Sequence, residues 1–395
     1  MKNRIQDMDV KNKKVLLRCD FNVPIKDGQI LDDSKIVESL QTIEYLIKEG
    51  AKIIILSHFG KVKTEEDKEK NSLAPVAKHL QSLVSSKVIF STQTRSVYLE
   101  TKVNEMKPGD IIVLENTRFE DVPKKLESGN DPQLAMYWAE LADIFCLDAF
   151  GSSHRKHAST YGVAKYIPNC IGFLVQKEVE MLDKYVLNAA KPFTILMGGA
   201  KVEDKVALIE SLLPRCDKLL FTGGIANSCL HTIGYNVGES IRTKDPEIMT
   251  KLKNLIVQNK EKIMLPLDAV VTRKYNNDLI EHVNIDKVEE DDIILDIGMK
   301  TVAKYKEALN ESATIFLNGT AGKYEDIRFA TGTREILSAI TETKAVKIAG
   351  GGDGVSAVKN FNYDSKFTFL STGGGATLEY IINSGLPAID NISDK

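Results

Sequence analysis

Apolar residues in this chain fall into short runs separated by stretches with helical spacing. The runs are Val15-Leu16-Leu17, residues 53–56, 111–114, 144–147, 195–197 and 219–221, then Phe316-Leu317, Ile348-Ala349 and Phe369-Leu370. Short continuous runs of this kind, bounded by polar residues or glycines, read as strands buried on both faces. After the first run, Asp32-Asp33-Ser34 offers a helix start. Ile36, Leu40, Ile43 and Ile47 then recur at helical spacing, and Gly50 closes the helix before the next strand. That order is a βαβ unit, and its repetition predicts an α/β fold with parallel sheets. A longer helical pattern, with Val175, Val179, Leu182 and Val186 on one face, ends before Lys191-Pro192.

The residues at the strand ends differ between the halves. In the first half the runs lead into cations: Arg18; His58, Gly60 and Lys61; Arg118; and His154-Arg155 with His157. In the second half they lead into glycines: Gly198-Gly199-Ala200-Lys201, Gly223-Gly224, Asn318-Gly319, Gly350-Gly351-Gly352-Asp353 and Gly373-Gly374-Gly375. Ligands of parallel α/β sheets bind outside the carboxyl ends of the strands. The pattern predicts two doubly wound, Rossmann-like domains joined by a connector helix and hinge. One presents cations to an anion; the other presents bare backbone to a nucleotide. The expected boundaries are an N-terminal domain over 1–170, the connector over 171–190, a C-terminal domain over 191–378, and a tail over 379–395 that packs back on the first domain.

Length and composition agree with two ordinary globular domains: 395 residues, 43% hydrophobic and 27% charged. The formal charge of −3 argues against a general affinity for nucleic acid or an acidic membrane, though it leaves room for a local basic patch. No apolar run reaches membrane-spanning length and no signal peptide is visible. The five cysteines are scattered without a C-x-x-C pair, so they read as buried thiols of a cytoplasmic protein.

Arginine suits phosphates and carboxylates because its planar fork donates two parallel hydrogen bonds. A single Arg after a strand is most often a surface charge, but Arg18, Arg118 and Arg155 with three histidines come from four strand ends. In the second half, Gly198-Gly199-Ala200-Lys201 followed by Lys205 lets phosphate oxygens approach backbone N–H groups while lysines neutralise charge. The loop is neither a Walker A sequence nor G-x-G-x-x-G, which disfavours a dinucleotide-dependent dehydrogenase. Asp353 adds a carboxylate suited to Mg²⁺ beside phosphates.

The motifs Val15-Leu16-Leu17-Arg18-Cys19-Asp20-Phe21-Asn22-Val23-Pro24, Leu56-Ser57-His58-Phe59-Gly60, Leu114-Glu115-Asn116-Thr117-Arg118-Phe119 and Asp148-Ala149-Phe150-Gly151, together with the glycine clusters, resemble those of the phosphoglycerate kinases in the same order and nearly end to end. The resemblance implies a monomeric, cytoplasmic, glycolytic phosphotransferase with a carboxyl group as acceptor. It would move a phosphoryl group between 1,3-bisphosphoglycerate and MgADP, giving 3-phosphoglycerate and MgATP. It implies that Arg18, Asp20, Asn22, Lys35, His58, Lys61, Arg118 and Arg155 hold the phosphoglycerate. It places Gly199, Lys201, Lys205, Gly223, Asn318, Glu325, Gly351, Gly352, Asp353 and Gly354 at the nucleotide, with Asp353 on the magnesium and Lys35, Lys201 and Gly374 at the transferring group.

The chain departs from the family pattern at several of these positions. Lys35 and Lys61 stand for arginines, Thr320 for a proline, and Gly354 for a threonine whose hydroxyl would serve the phosphate site. Each lost charge-assisted hydrogen bond is worth roughly 1.5–3 kcal/mol. A relative that binds nucleotide with weakened or repurposed catalysis is therefore the alternative expectation.

Overall fold

The computed structural model describes residues 2–395, which form two compact units. Of these, residues 2–180 and 385–395 make up the first and residues 181–384 the second.

The first unit is built on six parallel strands: β1 (Lys14–Cys19), β2 (Lys52–Leu56), β3 (Val88–Ser91), β4 (Ile111–Leu114), β5 (Ile144–Asp148) and β6 (Asn169–Ile171). Their order is β3-β4-β2-β1-β5-β6. Helix α1 (Ser34–Lys48) connects β1 to β2 and buries Ile36, Ile43 and Leu46 against the sheet. It ends where the sequence implies, with Gly50 at φ 72°. Strand β6 is three residues of mixed character, whereas β3 carries Val88-Ile89-Phe90, a run as long as that of β1 that sequence reading passed over. The core joins Val15, Leu17, Ile53, Ile55, Ile111, Val113 and Cys146.

Residues 385–395 complete this unit. The N–H of Ala388 donates to Ser153 O at 3.0 Å, and the N–H of Asn3 to Ser393 O at 2.9 Å. Asn391 Nδ2 donates to Tyr161 O at 2.9 Å and the N–H of Ser393 to Asn169 Oδ1 at 2.8 Å. The division between units falls inside the helix Phe173–Leu182, which continues as a wider turn to Leu187.

The second unit contains β7 (Phe193–Met197), β8 (Lys218–Phe221), β9 (Ile263–Met264), β10 (Asp268–Arg273), β11 (Asn276–Asn284), β12 (Asp292–Ile297), β13 (Thr314–Asn318), β14 (Val346–Ala349) and β15 (Phe369–Leu370). The parallel sheet runs β9-β8-β7-β13-β14-β15. Counted within that sheet, the order is 3-2-1-4-5-6, the dinucleotide-fold arrangement with its switch point between β7 and β13. The remaining three strands form an antiparallel sheet, β11-β10-β12; β10 and β12 carry the apolar runs Ala269-Val270-Val271 and Ile293-Ile294-Leu295, which sequence reading passed over. Strand β11 is largely exposed and polar, so its sequence reads as loop. Leu230, Val237, Ala269, Val271 and Ile285 form a small core beneath this sheet, separate from the main one.

Candidate functional site

In the first unit the sheet order explains why the cations meet. Strands β4, β2, β1 and β5 are consecutive neighbours, so Arg118, His58, Arg18 and the loop carrying Arg155 issue from four adjacent carboxyl ends. Arg18 is buried. Its Nε donates to Ser159 Oγ at 2.8 Å, Nη1 to Cys19 O, and Nη2 lies 3.2 Å from His58 Nδ1. Arginine can only donate, so His58 Nδ1 accepts and the neutral ring carries its hydrogen on Nε2. Burial holds His58 well below the usual histidine range, with Asp20 opposing that fall and Arg18, Arg118 and Lys35 adding to it.

Asp20 lies among these cations. Burial would raise its carboxyl, but the positive charges of Lys35 and Arg18 hold it down to about 2. Lys35 Nζ donates to Asp20 Oδ2 at 3.1 Å. Asn22 Oδ1 accepts the Gly60 N–H at 2.9 Å, and Arg118 Nη1 donates to Gly60 O. Asn116 fixes the same corner by accepting the N–H groups of Phe59 and Arg118, both at 3.0 Å. Burial lowers the Arg118 pKa, and the positive charges of Arg155 and then Arg18 lower it further. Burial and the neighbouring Arg18, Arg155, Arg118 and His154 push His157 down to about 3. Arg155 is exposed, as is Lys61, whose backbone carbonyl accepts from Asn71. Arg18, Asp20, Asn22, Lys35, His58, Arg118 and Arg155 thus gather at these strand ends, Arg18 without presenting surface, whereas no hydrogen bond or ion pair joins the Lys61 side chain to them. Sequence reading missed Glu127, which is buried behind Arg18 in a polar stretch that looks like loop.

In the second unit the glycine turns follow β8, β7, β13, β14 and β15, again in spatial order. They are stitched together by backbone. The Gly198 N–H donates to Asn318 O at 2.8 Å and the Gly224 N–H to Gly199 O at 2.9 Å. Gly319 has φ 92°, and a Cβ there would lie 2.4 Å from Gly198 O, so no larger residue fits the crossing. Asn318 Nδ2 donates to Gly350 O at 2.8 Å. Lys205 Nζ donates to Gly198 O beside Asp353; burial pushes Lys205 down to about 8 against the pull of that carboxylate. Helix Gly352–Asn360 opens immediately after Gly351, at φ 84°, and Asp353 is exposed in its first turn.

A cavity of about 340 Å³ lies beside these turns. Four of the residues expected at a nucleotide, Gly199, Gly223, Glu325 and Asp353, line it. Its apolar wall comes from Leu230, Ile241, Ile285, Ile294 and Leu295, mostly from or near the antiparallel sheet, and sequence reading did not find them. Nor did it assign a role to Asp296, a cavity residue whose Oδ2 accepts the Gly332 N–H at 2.6 Å and whose carboxyl burial pushes up to about 7. Lys201 is exposed and, with Gly374, lies outside the lining. Gly351 and Gly352 lie at the start of helix Gly352–Asn360, and Gly354 packs on Gly319.

The surroundings of Asp353 decide whether it can serve a metal. It is an accessible carboxylate beside Lys205 and the glycine backbone; no trio of His, Cys, Asp or Glu that could hold a metal occurs among the described residues. That donor set fits Mg²⁺, which keeps waters and takes substrate phosphates alongside one or two carboxylates.

Cations on adjacent strand ends in one unit, and glycine backbone around a cavity in the other, are the features of an α/β protein suited to an anionic ligand and a nucleotide. Comparison with known proteins specifies which. The phosphoglycerate kinase family profile matches residues 5–383. The chain is 47% identical over 397 residues to the phosphoglycerate kinase of Macrococcus caseolyticus, covering 100% of both, and 46% identical over 393 residues to that of Lacticaseibacillus casei, covering 99% of both. It is similar to the structure of phosphoglycerate kinase from Coxiella burnetii, with a TM-score of 0.87, 35% identity and 99% of each chain covered. It is also similar to that from Pyrococcus horikoshii, with a TM-score of 0.83, 30% identity, and 99% and 98% covered. The chain belongs to the phosphoglycerate kinase family. No helix among the described residues is long and apolar enough to cross a membrane.

Proposed function

We propose that this glycolytic enzyme transfers a phosphoryl group reversibly between the acyl phosphate of 1,3-bisphosphoglycerate and ADP, and that the two units divide the substrates. The observation that carries the reading is the pairing of two sets of strand ends: converging cations in one unit, glycine turns around a nucleotide-sized cavity in the other.

In the first unit Asp20, Asn22, Lys35, His58, Lys61, Arg118 and Arg155 receive the phosphoglycerate. Arg18 acts from beneath, through its positive field and its hydrogen bond to His58. In the second, Gly199, Gly223, Asn318, Gly351, Gly352 and Gly354 let the nucleotide approach backbone, Lys201 and Lys205 neutralise phosphate charge, and Glu325 takes the ribose. Gly374, before the helix Gly375–Asn383, serves the transferring group with Lys35 and Lys201. Asp353 holds Mg²⁺, which when bound offsets the charge on the phosphates. The attacking carboxylate of 3-phosphoglycerate is already ionised, so no general base is required. Catalysis rests on in-line positioning and on neutralising charge that spreads over the equatorial oxygens. The enzyme acts as a cytoplasmic monomer.

A coupled assay of purified protein with 3-phosphoglycerate and MgATP tests the reading. Turnover that needs both substrates and the metal is expected. Protein that binds ADP and 3-phosphoglycerate but transfers nothing would sink it.

A further inference from the structure

Glu127 is buried and paired, yet it has no part in holding either substrate. Its Oε1 accepts the Ser159 hydroxyl at 2.5 Å and its Oε2 the Ser159 N–H at 2.9 Å. Ser159 Oγ, having given its hydrogen to Glu127, accepts from Arg18 Nε at 2.8 Å. Arg18 Nη2 in turn reaches His58 Nδ1 at 3.2 Å. The chain Glu127–Ser159–Arg18–His58 has a fixed pattern of donors and acceptors, set by an acceptor-only carboxylate at one end and a donor-only guanidinium in the middle. It starts in a loop before the fifth strand and ends on the wall of the anion site.

Its charge matters as much as its geometry. Arg18 is buried, and a buried cation needs a counter-charge. Among the carboxylates near it, Glu127 acts on it most strongly, ahead of Asp20. Asp20 is already engaged by Lys35 at 3.1 Å. Glu127 is therefore the principal counter-charge of Arg18, while Asp20 stays paired with Lys35. His157 Nδ1 also lies 3.8 Å from Glu127 Oε1. Of the five N–H donors on Arg18, three are committed by these contacts, one on each nitrogen. The two that remain, on Nη1 and Nη2, keep the orientation this relay gives them.

We infer that Glu127 is a positioning residue for phosphoryl transfer: through Ser159 it fixes the Arg18 guanidinium, and through Arg18 the orientation and tautomer of His58 at the phosphoglycerate site. This rests on the assignment of the first unit to phosphoglycerate. A merely structural Glu127 would anchor the turn at 157–162, where its backbone carbonyl also accepts the Ala158 N–H at 2.9 Å. The two roles separate in kinetics.

Glu127→Gln and Ser159→Ala are compared with the wild type in kcat and KM for 3-phosphoglycerate, with active sites counted by calorimetric titration. Each variant should lose about tenfold in kcat per titrated site, with KM changed much less. The double variant should lose no more than either alone, because the same relay is already broken. Unchanged kcat per site in both variants, whatever happens to their unfolding midpoints, overturns the inference. If Glu127→Gln does not fold, Ser159→Ala decides alone by the same kcat criterion. A wild type that binds no 3-phosphoglycerate overturns the substrate assignment as well, and so differs from a normal wild type with unaffected variants.

Discussion

Lys35 faces Asp20 across 3.1 Å, so the lysine standing where the family has arginine keeps a defined place at the anion site. It offers a point charge without the planar fork. Lys35→Ala should lower kcat by about one to two decades while raising KM less, and Lys35→Arg should hold or raise kcat. Steady-state rates with 3-phosphoglycerate decide it; normal turnover in the alanine variant removes Lys35 from the mechanism. At Gly354 the structure reverses what the sequence suggests. Restoring the family's threonine looks helpful, but a Cβ there would lie 2.9 Å from Gly319 N, inside the backbone crossing. Gly354→Thr should therefore weaken ADP binding, at a cost of about 1–3 kcal/mol for the displaced loop, and calorimetry with ADP measures this. Asp148 tests burial alone. Its carboxyl is pushed up to about 7 by burial, with Thr42 and the N–H groups of Val175 and Leu174 offsetting only part. A carboxyl raised from 3.8 on folding favours the folded state while protonated; that contribution is complete below about pH 4 and lost as pH rises through 7. Asp148→Asn should thus match the wild type near pH 4 and exceed it at pH 8 by up to about 4 kcal/mol in urea unfolding. Equal stability at pH 8 would show that the carboxylate is accommodated as an anion.

At the scale of elements, the sequence displayed the strands that both faces bury and the chemistry at their ends. It could not display which ends are neighbours. Arg118 and His58 come from strands separated in sequence by β3, yet β4 sits between β3 and β2 in the sheet, and only that order brings them together. Of the antiparallel sheet only β11 was illegible, being exposed and polar; Ala269-Val270-Val271 and Ile293-Ile294-Leu295 are apolar runs, but nothing local tells that they pair antiparallel and wall a cavity. Glu127 and Asp296 were illegible for another reason: nothing local distinguishes a carboxylate that folding buries from one left in water. The segment 385–395 gives an element-level prediction. Leu386, Ala388, Ile389 and Ile392 are buried in it, and its backbone joins Ser153 and Asn169 of the first unit. Removing the segment should destabilise that unit by several kcal/mol, given roughly 1.5–3 kcal/mol for each large buried apolar side chain. The chain's one tryptophan, Trp138, is buried in that unit with its Nε1 donating to Thr94 O at 3.0 Å, and its fluorescence follows the loss. An unchanged midpoint would mean that the segment adds nothing to the unit's core.

For the whole molecule, two cores imply two places where ligand binding can act on stability. The cluster around Val15, Ile53 and Ile111 lies within the first unit, and that around Leu196, Tyr305 and Ile336 within the second. A ligand that binds only the folded form stabilises it by RT ln(1 + [L]/Kd), about 2.7 kcal/mol at one hundred times Kd. If phosphoglycerate belongs to the first unit, 3-phosphoglycerate at that excess should move the Trp138 transition by about that amount. It should also slow amide exchange in the loops carrying His58, Arg118 and Ser159. ADP should slow exchange at 198–205, 223–224 and 351–354 instead, and should move a backbone-detected transition more than the tryptophan one. The two observables test different parts of the claim. Exchange reports where each ligand sits; the transitions report whether the cores unfold separately. Equal shifts of both transitions by either ligand would show one cooperative molecule while leaving the substrate assignment intact. Protection of residues 198–224 by 3-phosphoglycerate would overturn the assignment itself, because no cation cluster of the kind found after β1, β2, β4 and β5 would then be at the ligand.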